Sequence, residues 1–251
     1  MRAVGIIPAR YAAQRLPGKP LRRILGKPLV QWVWEAAAAA RELQRVVIAT
    51  DDERIARRCR EFGAEVVLVP EELPSGSDRV ARAYELLGER ADLVLNIQGD
   101  EPLLQPQHLD RLVQTAAQHG DWHVVTLVQP LTHARELQMP SVVKVALRSD
   151  GTALYFSRAP IPYIVAPEAA PAECLWKHVG VYAFRPAVLQ AFVALPPGRL
   201  EQCERLEQLR LLEAGYRIGC VVVREVLHAV DVPADLRWVR RYWARQARRK
   251  L

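Results

Sequence analysis

The chain has 251 residues, 50% of them hydrophobic and 25% charged, which is the composition of a soluble globular protein long enough for one sizeable core. The formal net charge of +7 is typical of nucleic-acid-binding proteins. Seven of the 35 cations lie from Arg237 onward, however, in a stretch without acids, and the remaining 28 cations face 28 acids. The body is therefore neutral, which weakens a nucleic-acid function.

The N-terminal apolar run, "AVGIIP", is too short for a signal peptide or a membrane span. We therefore expect a cytoplasmic protein without membrane insertion. The four cysteines are scattered without a Cys-x-x-Cys pair, which argues against a disulfide framework and a structural zinc site.

Apolar runs alternate with helical patterns through the first half of the chain. Strands are predicted at "AVGIIP", "RVVIAT", "EVVLV", "DLVLNIQ" and "HVVTLV". Helices are predicted at "PLVQWVWEAAAAARE", "DDERIARRCREFG", "SDRVARAYELLG" and from about Pro106. This alternation predicts a three-layer α/β fold, in which a mostly parallel, twisted sheet carries helices on both faces. Ligands then bind beyond the carboxyl ends of the strands, in the loops after Ile7, Thr50, Val69 and Ile97.

The second half begins with a different pattern. "SVVKVALRSDGTALYFSR" alternates on both sides of Asp150-Gly151 and predicts a β-hairpin. We expect one domain over residues 1–251, in which residues of about 130–185 contain this hairpin as a smaller lobe. A proline-rich loop, a strand at "KHVGVYAF", helices at "RPAVLQAFVAL" and "CERLEQLRLLEAG", a strand at "RIGCVVV" and a helix from about Pro233 follow.

The loop after the first strand carries three cations and no acid. Arg10, Arg15 and Lys19 offer forked and point-charge donors, and Pro17-Gly18 allows a tight turn. Neither a Walker pattern nor G-x-G-x-x-G is present. The position favours a phosphate-binding loop over a merely solvated basic loop. "GKPL" occurs again at Gly26, where we expect Lys27 to be structural or to support a ligand-binding residue without touching the ligand.

Two acids are candidate metal ligands. Asp100 follows a strand in "NIQGDEP", where it can hold Mg²⁺ against a triphosphate or simply form a turn. Asp231 in "HAVDVPADL" has the position of a helix N-cap. It becomes a metal ligand only if it meets Asp100 in space.

Each of the remaining candidate site residues is weak evidence of function when it is considered alone. "SGSDR", from Ser75 to Arg79, suits a plain helix cap or an anion and base contact. His178 in a strand is typical of a core histidine, and Glu207 and Gln208 on a helix are typical of a surface.

Taken together, these stretches resemble a known family. "IIPARYAAQRLPGKPL", "SGSDR", "NIQGDEP", "YFSRAPIP", "KHVGVYAFR", "LEQLRLLEAG" and "VDVPADL" occur in the order found in the 3-deoxy-manno-octulosonate (Kdo) cytidylyltransferases, from Ile6 to about Trp238. The resemblance implies a nucleotide-diphospho-sugar transferase-like fold and transfer of a cytidylyl group from CTP to Kdo. The expected products are pyrophosphate and CMP-Kdo for lipopolysaccharide synthesis. The resemblance also implies that Mg²⁺ is the cofactor and that the protein is a homodimer formed through the smaller lobe.

The resemblance also implies roles for individual residues. Arg10, Arg15 and Lys19 would meet the triphosphate, and Asp100 and Asp231 would hold the metal. The cytosine and ribose side would be formed by Ser75, Gly76, Ser77, Arg79 and Gln98. The sugar pocket would be lined by Arg158, His178, Tyr182, Glu207 and Gln208. Two departures are Ser77, where the family often has Thr, and the segment from Tyr163 to Trp176, which matches no family feature.

The reaction expected from this resemblance needs no covalent intermediate. The anomeric hydroxyl would attack the α-phosphorus in line, so that catalysis consists of positioning and charge neutralisation. No general base stands out in the sequence.

Three alternatives stay open at this stage. The acceptor can be another acidic sugar, such as sialic acid or 8-amino-Kdo. The tail "RWVRRYWARQARRK" can bind nucleic acid or a membrane surface, although docking through Leu236, Val239 and Trp243 is the plainer interpretation. The third alternative is a non-catalytic nucleotide sensor. It would require that the metal ligands be absent from the sequence, whereas both acids are present.

Overall fold

A computed structural model describes residues 1–12, 15–165 and 174–249, with side chains described up to residue 247. The chain divides into two compact units, of which the first comprises Met1–Asp110 with Val226–Leu251 and the second comprises Arg111–Glu225. The proline-rich loop lies partly outside the described residues, at positions 166–173, as do Lys250 and the side chains of Arg248 and Arg249.

The described residues form eleven strands and nine α-helices. The strands are β1 (Ala3–Ala9), β2 (Arg23–Ile24), β3 (Lys27–Pro28), β4 (Leu43–Thr50), β5 (Glu65–Leu68), β6 (Leu93–Ile97), β7 (Val124–Pro130), β8 (Lys144–Leu147), β9 (Ala153–Ser157), β10 (Trp176–Phe184) and β11 (Ile218–Val222). The α-helices are α1 (Leu29–Ala38), α2 (Glu53–Glu61), α3 (Gly76–Leu87), α4 (Pro106–Gln118), α5 (Ala134–Gln138), α6 (Pro186–Ala194), α7 (Arg199–Glu204), α8 (Gln208–Glu213) and α9 (Pro233–Arg249).

The first unit contains a parallel sheet in the order β6-β1-β4-β5. Ile7 of β1 pairs with Ile48 of β4, and both are fully buried. Such Val/Ile/Leu runs form strands that are covered on both faces. The parallel arrangement predicted for the strands now labelled β1, β4, β5 and β6 is confirmed, and their carboxyl ends share one edge.

Helix α2 begins and ends at the residues that the sequence indicates. Asp52 caps α2 by accepting a hydrogen bond from the Arg54 amide, and Gly63 stops that helix at φ 88°.

The small hairpin β2–β3 was not predicted. It turns at Leu25 and Gly26, and Pro28 ends β3 instead of opening α1.

The second unit holds a mixed sheet. β7 pairs with β10 antiparallel and with β11 parallel. β8 and β9 form the predicted hairpin, whose turn uses Gly151 at φ 83°. β10 has an irregularity between Val179 and Tyr182, where its register against β7 shifts.

One predicted helix is wrong. "CERLEQLRLLEAG" forms the end of α7 and then α8, separated at Arg205, which has a left-handed φ of 52°. The break coincides with a side chain from elsewhere, because the Arg158 guanidinium donates to the carbonyls of Glu204 and Arg205. Periodicity cannot reveal such a tertiary contact, so the pattern of one continuous helix was misleading.

The basic terminal helix docks on the first unit. Leu236 and Val239 are buried, and the Trp243 ring stacks on Trp32 with centroids 4.6 Å apart. The Arg240 guanidinium donates twice to the Arg23 carbonyl. The predicted docking of α9 is confirmed, since its apolar face is packed. Among the described residues, no helix has the length and apolar character to cross a membrane.

Candidate functional site

The loop after β1 is closed by its own backbone. Gly18 adopts a left-handed conformation with φ 66°, and its amide donates to the Tyr11 carbonyl at 3.1 Å. A Cβ at this position would meet the Tyr11 ring at 3.3 Å. Gly18 therefore allows the chain to reverse and to begin a short 3₁₀ helix at Lys19. Residues 13 and 14 of the loop lie outside the described residues.

The two acids far apart in the sequence meet at this loop. The Lys19 ammonium lies 2.7 Å from Asp100 Oδ2 and 3.1 Å from Asp231 Oδ1. Arg15 Nη2 lies 3.2 Å from the same Asp231 oxygen. Arg15, Lys19, Asp100 and Asp231 are called the Lys19 cluster below. The condition set by the sequence for a shared metal site, that Asp100 and Asp231 converge, is met.

Two backbone features bring these acids together. A Cβ at Gly99 would lie 3.1 Å from the Pro8 carbonyl, so glycine lets the loop after β6 pass close to the end of β1. The Val230 amide donates to the Asp100 carbonyl at 2.8 Å. The segment before α9 is thereby attached to the loop after β6.

The N-cap interpretation of Asp231 is wrong. Asp235 Oδ2 accepts hydrogen bonds from the amides of Asp231 and Val232, each at 2.9 Å. Asp235 thus binds the amides at the start of α9, while the Asp231 carboxylate contacts Lys19 and Arg15. The sequence "VDVPAD" offers both acids, and only the packing decides between them.

The cluster is electrostatically balanced. Burial opposes the charged form of Lys19, but the charges and hydrogen bonds of Asp100 and Asp231 outweigh it and raise the pKa of the Lys19 ammonium above its ordinary value. Lys19 is therefore protonated at neutral pH, with a side chain that is 18% exposed. Two cations and two carboxylates are formally neutral together.

The donor set fits a hard divalent cation. Asp100 and Asp231 direct carboxylate oxygens at a single positive centre, here the Lys19 ammonium. Carboxylate oxygens are the ligands that Mg²⁺ prefers, and it usually retains waters and phosphate oxygens as further ligands. No group of three or more His, Cys, Asp or Glu side chains suited to a metal occurs among the described residues. Asp100 and Asp231 are therefore the candidate ligands in this part of the chain.

The other cations of the N-terminal segment fall into two groups. Arg10 directly follows β1 and is exposed, and the Arg15 side chain is 63% exposed. Lys27 instead pairs with Glu35 at 2.7 Å. Lys27 is thus engaged in an ion pair, whereas Arg10 and Arg15 remain accessible to a ligand at the edge of the sheet.

The start of α3 is built mainly from structural contacts. Ser75 Oγ caps the helix by accepting from the Asp78 amide at 3.2 Å. Arg79 is only 4% exposed, and its guanidinium donates to the Val69 carbonyl and to Asp51 Oδ2. Arg79 therefore joins the loops after β4 and β5 to α3. These contacts favour the plain-cap interpretation, and nucleotide contacts by Ser75 and Arg79 stay a prediction.

A polar chain that sequence analysis missed runs from α3 to the loop after β6. Asn96, fully buried within β6, donates to Ser77 Oγ at 3.2 Å and accepts from Gln98 Nε2 at 3.0 Å. Gly76 lies beside the Gln98 amide, since a Cβ there would be 3.7 Å from Nε2. The signal was the polar Asn within the apolar run "LVLNIQ". Asn96 orients Gln98 at the carboxyl edge of the sheet.

The five predicted sugar residues all lie in the second unit, where His178 and Tyr182 are neighbours. The His178 ring lies 5.2 Å from the Tyr182 ring, and His178 Nε2 lies 3.0 Å from Thr126 Oγ1. Ring burial lowers the pKa of His178 to about 3, so the imidazole is neutral. Burial, then the Glu207 charge, raises the pKa of Tyr182 well above its usual value. His178 is a hydrogen-bonded histidine, as its strand position indicates.

Gln208 does not follow its sequence-based expectation. A helix surface was expected, but the residue is 5% exposed, and its Nε2 has no hydrogen-bond partner among the described residues. Gln208 and the next residue, Leu209, are both buried on α8, which follows the break at Arg205. A buried amide nitrogen of this kind is a donor available to a polar ligand.

Arg158 is held by the backbone around it. Its guanidinium donates to the carbonyls of Glu204, Arg205 and Pro140. The Glu204 carboxylate accepts from the Arg158 amide at 2.9 Å, and the buried Lys144 ammonium donates to the Arg158 carbonyl. The structure thus fixes Arg158 near the start of α8. Its place in the sugar pocket stays a prediction.

Comparison with known proteins identifies the family. The cytidylyltransferase family model matches residues 4–218. The chain is 48% identical to 3-deoxy-manno-octulosonate cytidylyltransferase of Syntrophobacter fumaroxidans over 94% of each chain. It is 44% identical to the enzyme of the same name from Chloroherpeton thalassium, over 98% of this chain and 99% of that protein.

Solved structures agree with the sequence comparison. A structure of CMP:2-keto-3-deoxy-manno-octonic acid synthetase complexed with CTP superposes with a TM-score of 0.91 at 40% identity, covering 98% of this chain and all of that one. A 4-diphosphocytidyl-2C-methyl-D-erythritol synthase from Anaerococcus prevotii, 12% identical with a TM-score of 0.66 over 97% of this chain and 96% of that one, shares the fold alone. The predicted α/β fold class is confirmed, and the chain belongs to the cytidylyltransferase family, among the 3-deoxy-manno-octulosonate cytidylyltransferases.

Proposed function

We propose that this protein transfers a cytidylyl group from CTP to the anomeric hydroxyl of Kdo, giving CMP-Kdo and pyrophosphate. The observation that carries the proposal is the convergence of Asp100 and Asp231 on one cationic centre beside Arg15, at the carboxyl edge of a parallel sheet. The names of the relatives supply the substrates. CMP-Kdo is an activated sugar for lipopolysaccharide synthesis.

The chemistry is an in-line displacement at phosphorus. The anomeric oxygen forms a bond to the α-phosphorus, the bond from that phosphorus to the bridging oxygen of the β-phosphate breaks, and pyrophosphate leaves with that electron pair. The hydroxyl proton is released. Such a reaction depends on positioning and on neutralising phosphate charge. We assign Arg10, Arg15 and Lys19 to the triphosphate, where forked and point-charge donors complement its oxygens.

We assign the metal to Asp100 and Asp231. Mg²⁺ bound there would neutralise phosphate charge and lower the pKa of the attacking hydroxyl. Asp100 and Asp231 would hold the ion beside the phosphate-binding loop, and the chemistry that it would supply suits a reaction without a dedicated protein base.

We assign the cytosine and ribose to the start of α3 and the loop after β6. The side chain of Gln98, oriented by Asn96, offers both a donor and an acceptor to a base edge. Gly76 keeps the surface beside it open to a close approach. Ser75, Ser77 and Arg79 support this surface through the contacts described above.

We assign Kdo to the polar residues of the second unit. Arg158 supplies positive charge for the sugar carboxylate, and Gln208 supplies a buried donor. Neutral His178 can donate or accept according to its tautomer. Tyr182 and Glu207 complete a set of groups that a polyhydroxy acid requires.

We further propose a cytoplasmic homodimer. CTP is a cytoplasmic metabolite, which gives the compartment. The smaller lobe of about residues 130–185 supplies the dimer contact, supported by apolar side chains that are open on it: Leu154 is 51% exposed, and Tyr163 and Val165 are each 87% exposed. Light scattering coupled to size exclusion tests the oligomeric state, and a monomer at micromolar concentration would contradict it.

Pyrophosphate release tests the function directly. The protein is incubated with CTP, Mg²⁺ and Kdo, and each component is omitted in turn. Release of pyrophosphate is expected only when all three are present, with CMP-Kdo detected by mass. Failure to release pyrophosphate with Kdo across a Mg²⁺ titration would refute the proposal. Faster release with sialic acid or 8-amino-Kdo would reassign the acceptor and leave the nucleotide chemistry in place.

A further inference from the structure

We infer that Lys19 occupies the cation position between Asp100 and Asp231 in the nucleotide-free protein, so that a divalent ion binds there only after the triphosphate has drawn the ammonium away. This inference rests on the proposed function for the identity of the metal site. It assigns Lys19 two sequential partners, first the carboxylates and then phosphate, and it makes metal binding depend on nucleotide.

Geometry supports competition for the same space. The ammonium is within hydrogen-bond distance of both carboxylates, at 2.7 Å from Asp100 Oδ2 and 3.1 Å from Asp231 Oδ1. A Mg²⁺ ion that binds the same two oxygens needs distances of about 2.0–2.1 Å to each. The ion and the ammonium cannot both lie between these oxygens. Lys19 must therefore leave at least one carboxylate before the ion is bound by both.

Charge supports the same order of events. The Lys19 cluster has two cations and two carboxylates, so a divalent ion entering it alone meets a formally neutral site with Arg15 Nη2 3.2 Å from one of its ligand oxygens. The Lys19 ammonium, whose side chain is only 18% exposed, repels such an ion appreciably because solvent screens it little. The triphosphate changes this balance. Its oxygens can accept hydrogen bonds from both the Lys19 ammonium and the Arg15 guanidinium, which then leave the two carboxylates.

The loop is built so that the ammonium can change partners. Lys19 is the first residue of a single 3₁₀ turn that ends at Leu21, preceded by Gly18 at φ 66°. Its side chain is a flexible four-carbon stem, whereas Asp100 is attached at its backbone to Val230. The carboxylates are thus the fixed partners, and the ammonium is the mobile one.

The test measures Mn²⁺ binding to the full chain without nucleotide, by electron paramagnetic resonance of free Mn²⁺ and by calorimetry. Lys19→Met removes the competing ammonium and should strengthen nucleotide-free Mn²⁺ binding by roughly tenfold or more. Adding Asp100→Asn to Lys19→Met should abolish that gain. Because the readout is metal binding and not turnover, it is independent of which sugar is the acceptor.

The repeated "GKPL" offers a matched control. Lys27→Met removes the same charge from the same unit, at a lysine paired with Glu35, and should change Mn²⁺ affinity by less than about twofold because of screening. Equal Mn²⁺ affinity in Lys19→Met and Lys27→Met would overturn the inference. Circular dichroism checks folding, and Lys19→Gln replaces Lys19→Met if the latter does not fold. Absence of pyrophosphate release with any acidic sugar, together with the predicted gain in Mn²⁺ binding, would refute the function and leave the competition standing.

Discussion

The Val230 amide donates a hydrogen bond to the Asp100 carbonyl at 2.8 Å, and this bond joins two segments that lie far apart in the chain. It places Asp231, the next residue, so that its carboxylate shares the Lys19 ammonium with that of Asp100. The proposed metal site therefore depends on a backbone contact formed only when the residues before α9 return to the parallel sheet.

Asp231→Asn should lower turnover by about a hundredfold or more while the fold persists. The amide keeps the shape of the carboxylate but loses its charge, and a hard divalent cation prefers charged oxygen ligands. Pyrophosphate release is measured over a Mg²⁺ titration, with circular dichroism as a check on folding.

Asp121→Asn is the matched control for this substitution. Asp121 is 59% exposed, lies in the second unit and pairs with Arg217, so its neutralisation should leave turnover within about twofold, since exposed ion pairs contribute little. Near-normal turnover of Asp231→Asn would show that Asp231 is not a metal ligand.

Arg15→Ala should raise the KM for CTP by about tenfold without lowering stability. The side chain is 63% exposed, so its ion pair with Asp231 contributes less than about 1 kcal/mol. A contact with the triphosphate, by contrast, is charge-assisted. Steady-state kinetics and a thermal melt separate the two effects. Arg58→Ala, which removes an exposed ion pair with Glu61 on α2, should change neither quantity, and an unchanged CTP affinity in Arg15→Ala would refute the phosphate-binding loop.

Arg79→Met should destabilise the protein by about 3 kcal/mol. The substitution removes the buried guanidinium that donates hydrogen bonds to the Val69 carbonyl and to Asp51. Removing one partner of a buried charged pair lowers the free energy of unfolding strongly, because the other partner is left without compensation. Urea denaturation gives the free energy of unfolding. Arg82→Met, one turn further along α3 and 41% exposed, should cost less than about 1 kcal/mol. If Arg79→Met were as stable as Arg82→Met and lost only CTP affinity, Arg79 would be a nucleotide ligand instead of a structural residue.

The pH dependence of stability should contain a contribution from His178. Its folded pKa of about 3 lies below the ordinary value of 6.5. Between pH 6.5 and pH 3, His178 is therefore protonated in the unfolded chain but neutral in the folded chain. Stability is full above pH 6.5 and falls as the pH drops toward 3, by about 1 kcal/mol at one unit below 6.5.

His178→Gln should therefore flatten the fall in stability between pH 6.5 and pH 4. The measurement is urea denaturation at several pH values in that range. His133→Gln, at an exposed position, is the control and should leave the slope as it is. An unchanged slope in His178→Gln would mean that the ring is not excluded from water in the folded state.

Much of the fold was predictable because its determinants are local. Strands such as β1 and β6 are short apolar runs, and helix ends follow the Asp52 cap and the Gly63 stop. The break at Arg205 was not predictable, because it accompanies the insertion of Arg158 between α7 and α8. Asn96 was also missed, although a polar residue in an apolar strand was a visible signal.

The sequence by itself determined the alternation of strands and helices, the basic loop after β1 and the motif order of the cytidylyltransferases, because periodicity, turn residues and motif spacing are carried by neighbouring positions. Only the tertiary structure decided that Asp235 rather than Asp231 binds the amides at the start of α9, that Gln208 is buried, and that Lys19 lies between Asp100 and Asp231. These outcomes depend on distances between residues remote in the chain, which are set by the packing of the sheet and by single hydrogen bonds such as that from Val230 to Asp100.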